Sequence, residues 1–194
     1  MRADKHPYVS FLALLPALIL FCWVGYSSPG FDDEYYTINW VTGAESPAIL
    51  IGFVDNLDVH PPGSYLIVWS LRELGLSFSE MRLLAGGLSA FALWVLWRHT
   101  LSTTPLAQAV GYLLICVNPT LLLWGATLRW YSWSMPLIVL LFLLVRGGFR
   151  NAWAHWGAFG VLVVVLAYIG YFNLLFVPGL LGYALWQRRD RLAR

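Results

Sequence analysis

Charged side chains are scarce in this sequence. Of its 194 residues, 11% are charged and 59% are hydrophobic, and 12 Lys and Arg nearly balance 10 Asp and Glu. Soluble domains average about 25% charged residues, so lipid is the expected main solvent of this chain. A disordered chain needs many polar and charged residues, and a nucleic-acid-binding protein needs a basic patch. The sequence has neither, so we expect no nucleic-acid partner.

Several other signals are also missing. The chain has only two cysteines, Cys22 and Cys116, and both lie in apolar runs. A cysteine in such a run is more often a buried free thiol than a member of a disulfide, so we expect no disulfide. No glycine-rich phosphate loop occurs, so the sequence predicts no nucleotide site. No internal repeat is present either.

The acidic residues are concentrated in one segment. Eight of the ten lie between positions 32 and 80, and after Met81 the only acid is Asp190. Any chemistry that needs a carboxylate is therefore expected in that segment.

Long apolar runs predict membrane spans, because a spanning helix needs about 20 mostly apolar residues. Six runs qualify: 8–27, 83–97, 105–124, 130–146, 152–169 and 171–187. A seventh, 61–74, opens with two prolines and has only a short apolar stretch, which suits a helix lying in the membrane interface. Seven crossings would place the C-terminal arginines outside if the N-terminus is inside, against the positive-inside rule. Six crossings place both termini inside.

The predicted fold is therefore an all-α integral membrane protein. It forms a single polytopic domain over residues 1–194, with about six transmembrane helices and a long first extracytoplasmic loop, 28–82, that carries an interfacial amphipathic helix. The first apolar run is long for a signal peptide, so we expect an uncleaved first span. The predicted orientation is N-in and C-in, in a membrane of the bacterial inner-membrane type.

The outer loop contains two groups of residues that could carry chemistry. Asp33 and Glu34 follow the first span, and Asp58 and His60 lie at the far end of the loop, before two prolines. The acidic group can be a solvated loop face. The prolines restrict the backbone after His60, which favours a fixed site over a mobile loop.

A basic residue lies on the same predicted face of the membrane. Arg129, flanked by aromatic residues, can be an interfacial anchor. It can also bind an anion near the acidic loop, and a guanidinium beside a carboxylate base suits the transfer of a group from a lipid phosphate.

Together these motifs resemble a known family. The order of residues 31–36 (FDDEYY), 58–62 (DVHPP), 118–119 (NP) and 129–131 (RWY) is similar to the N-terminal part of GT-C-type integral-membrane glycosyltransferases, which include the protein O-mannosyltransferases. The resemblance covers nearly the whole chain but only the first part of a typical family member. It implies a long first outer loop with interfacial helices.

The resemblance also implies roles for individual residues. Asp33 and Glu34 fall on the catalytic acidic pair, with Asp33 as the base that activates the acceptor hydroxyl. Asp58 and His60 match a second motif of the same cavity. Substrate-binding positions are implied for Arg129 and Tyr131 as well.

Two positions depart from the family pattern. Thr127 stands where the family often has Glu, and Gly170 stands where a His commonly precedes an aromatic pair. We expect no cofactor; a divalent ion bound by Asp33, Asp58 and His60 is the less favoured alternative.

The function expected from the residues and the resemblance is transfer of a sugar, with inversion, from a polyprenyl-phosphate-linked donor to an acceptor hydroxyl on a lipid, glycan or protein. An alternative is a non-catalytic or half-enzyme subunit that needs a second polytopic chain. A transporter is less favoured, because the central spans lack the ionisable residues that line most ion pathways.

Overall fold

The computed structural model describes residues 14–27, 32–100, 105–147 and 152–192. This part of the chain is all-helical and has no β-strand, so the predicted all-α class is confirmed. The α-helices are α1 (Leu14–Ser27), α2 (Asp32–Gly43), α3 (Pro47–Leu57), α4 (Gly63–Glu73), α5 (Phe78–Thr100), α6 (Pro105–Cys116), α7 (Pro119–Gly125), α8 (Trp130–Gly147), α9 (Ala152–Ile169) and α10 (Phe176–Leu192). A 3₁₀-helix, Tyr171–Leu175, leads into α10.

Helices α1 and α5 pack tightly and run in opposite directions. A Cβ atom added to Gly25 would lie 3.1 Å from the backbone oxygen of Arg82, and one added to Gly86 would lie 2.9 Å from that of Phe21. Small residues at these positions let the two backbones approach closely. Further along the pair, Phe21 is fully buried in a cluster with Trp94 and other apolar side chains.

The segment predicted as the outer loop is mostly helical. It contains α2, α3 and α4 and the start of α5. The predicted helix after the two prolines is confirmed as α4, whereas α2 and α3 were not predicted. These three helices share a core with the rest of the molecule, formed by Val41, Leu50, Val54, Tyr65, Val68, Met81, Leu128, Trp133 and Ile169 among others.

The lengths of the helices support fewer membrane spans than the sequence predicts. Among the described residues, only α5, over Phe78–His99, is by itself long and apolar enough to cross a membrane. At 1.5 Å per residue its 22 residues measure about 33 Å, close to the thickness of a bilayer core. Two bent helix pairs, α1 with α2 and α7 with α8, would raise the count to three if each pair formed one span. The six predicted spans are therefore not confirmed.

One predicted span, 105–124, is broken for a local reason. The side chain of Asn118 accepts a hydrogen bond from the Leu121 amide at 3.1 Å and caps α7, and Pro119 occupies the first helical position. Asn as N-cap followed by Pro is a strong helix-start signal, so a new helix begins where the run was expected to continue. The axis then bends by 105° between α7 and α8.

The ends of α4, α8 and α9 lie close together at one end of the helix bundle. The first turn of α4 lies against the last turn of α9, where a Cβ atom on Gly63 would collide with the Tyr168 carbonyl. Close by, Gly170 lies against the ring of Trp130, the first residue of α8. The predicted site residues lie at this end.

Candidate functional site

Arg129, directly before α8, is the centre of a buried polar cluster. It is 5% exposed. Its Nη1 atom donates to the Tyr65 hydroxyl at 2.6 Å and to Thr37 Oγ1 at 3.3 Å, and it lies 3.7 Å from Oδ2 of Asp58. Its Nε atom is buried and has no hydrogen-bond partner among the residues that the structure describes. The Nε donor is therefore left unsatisfied by the described residues.

Asp58 joins the loop to this cluster. It follows α3 in an extended conformation, and its Oδ1 atom accepts a hydrogen bond from His60 Nδ1 at 2.9 Å. Its Oδ2 atom accepts a hydrogen bond from the Tyr65 hydroxyl. Burial by itself would raise the pKa of Asp58, but the hydrogen bonds from Tyr65 and His60 and the charges of His60 and Arg129 outweigh it and lower that pKa. Asp58 is therefore an ionised acceptor.

Tyr65 is held as a neutral donor by the same contacts. Burial first, and then its hydrogen bond to the Asp58 carboxylate, raises the pKa of Tyr65 despite the nearby charge of Arg129. The Arg129 guanidinium also lies over the Tyr65 ring, 5.6 Å from its centroid. Tyr65 thus connects the carboxylate and the guanidinium through one hydroxyl.

Aromatic rings cover one side of His60. The imidazole stacks on Trp130 at a centroid distance of 6.0 Å and lies 6.2 Å from Phe172, and these two rings stack on each other at 5.9 Å. A Cβ atom on Gly170 would lie 2.8 Å from the Trp130 ring. The Trp130 indole therefore occupies the space that a larger side chain at position 170 would need.

Glu34 and Asp33 have different environments although they are neighbours in α2. Glu34 is 1% exposed, and its oxygens accept from Arg82 Nε at 2.8 Å, from Arg82 Nη2 at 2.9 Å and from the Leu128 amide at 2.9 Å. Asp33 is exposed. Successive helical residues differ by about 100° in direction, so an inward Glu34 leaves its neighbour on the outer face.

Tyr131 follows Trp130 at the start of α8. Its hydroxyl interacts electrostatically with the charges of both Arg129 and Asp33. Thr127 donates a hydrogen bond to the Trp124 carbonyl at 3.2 Å. Asp33 thus lies at the edge of the site and Arg129 inside it.

The structure brings the predicted residues to one region but divides them into two groups. Asp58, His60 and Arg129 form one network. Asp33 lies outside it, exposed in the first turn of α2. Glu34 lies beside this network and is engaged within the fold. The sequence analysis did not single out three residues that complete these contacts: Thr37, Tyr65 and Arg82. Tyr65 had a weak signal, because it is a polar aromatic residue in the first turn of the predicted helix that follows Asp58 and His60.

No three His, Cys, Asp or Glu side chains form a group that could hold a metal ion within residues 14–27, 32–100, 105–147 and 152–192. In particular, Asp33 does not join Asp58 and His60 in such a group.

Comparison of the chain with protein-family models, with curated proteins and with solved structures found no match. The resemblance to GT-C glycosyltransferases therefore stays a prediction that depends on the motifs.

Proposed function

We propose that this protein is an integral-membrane glycosyltransferase of the GT-C type. In this proposal it moves a sugar from a polyprenyl-phosphate-linked donor to an acceptor hydroxyl. The observation that carries the proposal is the buried Arg129, whose Nε donor has no partner among the described side chains, at the meeting point of the predicted motifs. An exposed carboxylate, that of Asp33, lies at the edge of the same region.

The proposed base is Asp33. Its carboxylate takes the proton of the acceptor hydroxyl while the hydroxyl oxygen forms a bond to the anomeric carbon of the sugar. The bond between that carbon and the phosphate oxygen breaks, and the electron pair leaves with the phosphate. Attack opposite the leaving group inverts the anomeric centre. A positioned general base typically contributes about 10²–10⁴ in rate.

Arg129 is the proposed partner of the leaving phosphate. A guanidinium matches the geometry of phosphate oxygens, and hydrogen bonds between charged groups are stronger than neutral ones. Hydrogen bonds to Tyr65 and Thr37 and the ion pair with Asp58 restrain the guanidinium through its Nη1 atom. A donor fixed in advance stabilises developing charge without reorganisation during the reaction.

The proposed setting is a bacterial inner membrane. Six crossings would place both termini inside and the end of the bundle that holds Arg129 outside, where lipid-linked sugars are used. Single cysteines in a Cys-free background test this arrangement: a cysteine at exposed position 55 should react with an impermeant maleimide from the outside. A cysteine at position 98, near the C-terminal end of α5, should not react with the impermeant maleimide from the outside.

Transfer of a radiolabelled sugar from a polyprenyl-phosphate donor, measured with the protein in nanodiscs, tests the activity. Asp33→Asn should lower the rate by about 10²–10⁴. Asp32→Asn is the matched control, because it removes an exposed carboxylate from the same first turn of α2. Equal rates for Asp33→Asn and the wild-type protein would refute the assignment of the base.

Native mass spectrometry of the protein in mild detergent separates the two organisations that the sequence left open. A chain that retains a polyprenyl phosphate without a protein partner supports a self-sufficient transferase. A stoichiometric second polytopic protein supports a subunit whose site is shared between two chains.

A further inference from the structure

The carboxylate of Glu34 connects three separate parts of the chain. It lies in the first turn of α2, it binds Arg82 in α5 through two hydrogen bonds, and it accepts the backbone N–H of Leu128 before α8. Arg82 is 48 residues away in sequence and Leu128 is 94 residues away. We call these contacts the Glu34 junction.

Two residues of the Glu34 junction, Glu34 and Leu128, are sequence neighbours of proposed site residues. Glu34 follows Asp33 on α2, and Leu128 precedes Arg129. Because the peptide backbone is short and planar between neighbours, a shift of Glu34 or Leu128 moves the attached site residue with it. The separation between the exposed carboxylate and the buried guanidinium therefore depends on the Glu34 junction.

Both oxygens of Glu34 are used within the fold, and its side chain is 1% exposed. A carboxylate in this state is poorly placed to take a proton from a substrate hydroxyl, since the hydroxyl would have to displace Arg82 or the Leu128 amide. The environment differs from that of Asp33, which is exposed one residue earlier.

We infer that Glu34 and Arg82 are positioning residues, which hold the base Asp33 and the anion-binding Arg129 at the separation that sugar transfer requires. This inference rests on the proposed function. Neither Glu34 nor Arg82 touches the reacting atoms. They act through the backbone of α2 and of the segment before α8.

Two double variants test the inference. Glu34→Leu/Arg82→Met removes both charges and also the acceptor of the Leu128 amide. Glu34→Gln/Arg82→Met removes the same charges but keeps a side-chain oxygen that can accept from Leu128. Both double variants avoid the unpaired buried charge that a single change would leave.

We expect kcat and kcat/KM to fall together by about 100-fold in the Leu–Met variant, the size of effect that a misplacement of about 1 Å produces. The loss should be smaller in the Gln–Met variant. Hydrogen exchange over backbone residues 126–130 should be faster in the Leu–Met variant than in the Gln–Met variant. Glu73→Gln is the matched control, because Glu73 is exposed at the end of α4.

The outcomes separate this inference from the proposed function. A folded Leu–Met variant with the kcat of the wild-type protein overturns the inference and leaves the proposed function standing. Equal losses in the two double variants also overturn it, because the Leu128 hydrogen bond is then not the link. If the Leu–Met variant does not fold, a Gln–Met variant with the kcat of the wild-type protein overturns the inference, because the pairing of Arg82 with Glu34 then has no effect on the positions of Asp33 and Arg129. A wild-type protein that transfers no sugar overturns the proposed function and this inference with it.

Discussion

Removal of Arg82 should destabilise the protein far more than removal of Arg82 and the charge of Glu34 together. In Arg82→Met, the Glu34 carboxylate stays 1% exposed and loses both guanidinium hydrogen bonds, keeping only the Leu128 amide. Breaking a buried pair from one side typically costs about 3–5 kcal/mol, because the remaining charge has no compensation.

The double variant Glu34→Gln/Arg82→Met removes both charges of the pair. It therefore avoids the uncompensated buried carboxylate that makes the single change costly. We therefore expect its free energy of unfolding to lie well above that of Arg82→Met, so the pair should couple strongly in a double-mutant cycle. The glutamine oxygen can still accept the Leu128 amide, which keeps that donor satisfied.

Equilibrium unfolding of the protein in mixed micelles measures these free energies. The control Glu73→Gln changes an exposed carboxylate and should shift the free energy of unfolding by less than about 0.5 kcal/mol. A cost below about 1 kcal/mol for Arg82→Met would be typical of a solvated surface pair. Such a result would refute the reasoning from burial.

Three further results are expected. Arg129→Gln should lower kcat/KM for the lipid-linked donor by about 10- to 150-fold. This range corresponds to the loss of a charged hydrogen bond worth about 1.5–3 kcal/mol. The control Arg146→Gln, at the far end of α8, should leave kcat/KM unchanged. Because its contacts lower the pKa of Asp58, ionised Asp58 stabilises the fold at neutral pH. This contribution should be lost as the pH falls below the ordinary aspartate value of 3.8. Unfolding free energies measured against pH should then show a shallower acid limb for Asp58→Asn. Gly170→Ala should destabilise the protein by about 1–3 kcal/mol, since its Cβ would lie 2.8 Å from Trp130, and a change in Trp130 fluorescence should accompany it.

Local signals explain which helices were predicted. The long apolar runs and the proline pair before Gly63 predicted α5, α8, α9 and α4 close to their observed positions. Helix α3 also has a clear start, since Ser46 caps it through the Ile49 amide and Pro47 takes its first position. At 11 residues α3 is shorter than the apolar length that a membrane span needs, so this segment was assigned to the outer loop.

The number of membrane spans was harder to predict, because it depends both on local signals that end a helix and on how the helices pack. Hydropathy identifies an apolar run, but the Asn118 cap divides one run into two helices, and packing then bends α7 against α8. Residues 8–13 of the first predicted span lie outside the described residues.

The sequence by itself determined the composition suited to lipid, most helical segments and the residue types of the candidate site. These properties depend on each segment and its neighbours in the chain. The pairing of Glu34 with Arg82 and Leu128, and of Arg129 with Tyr65, was decided by the tertiary structure. Contacts between residues 48 to 94 positions apart depend on how whole helices pack, and no local pattern shows which of two neighbouring acids turns inward.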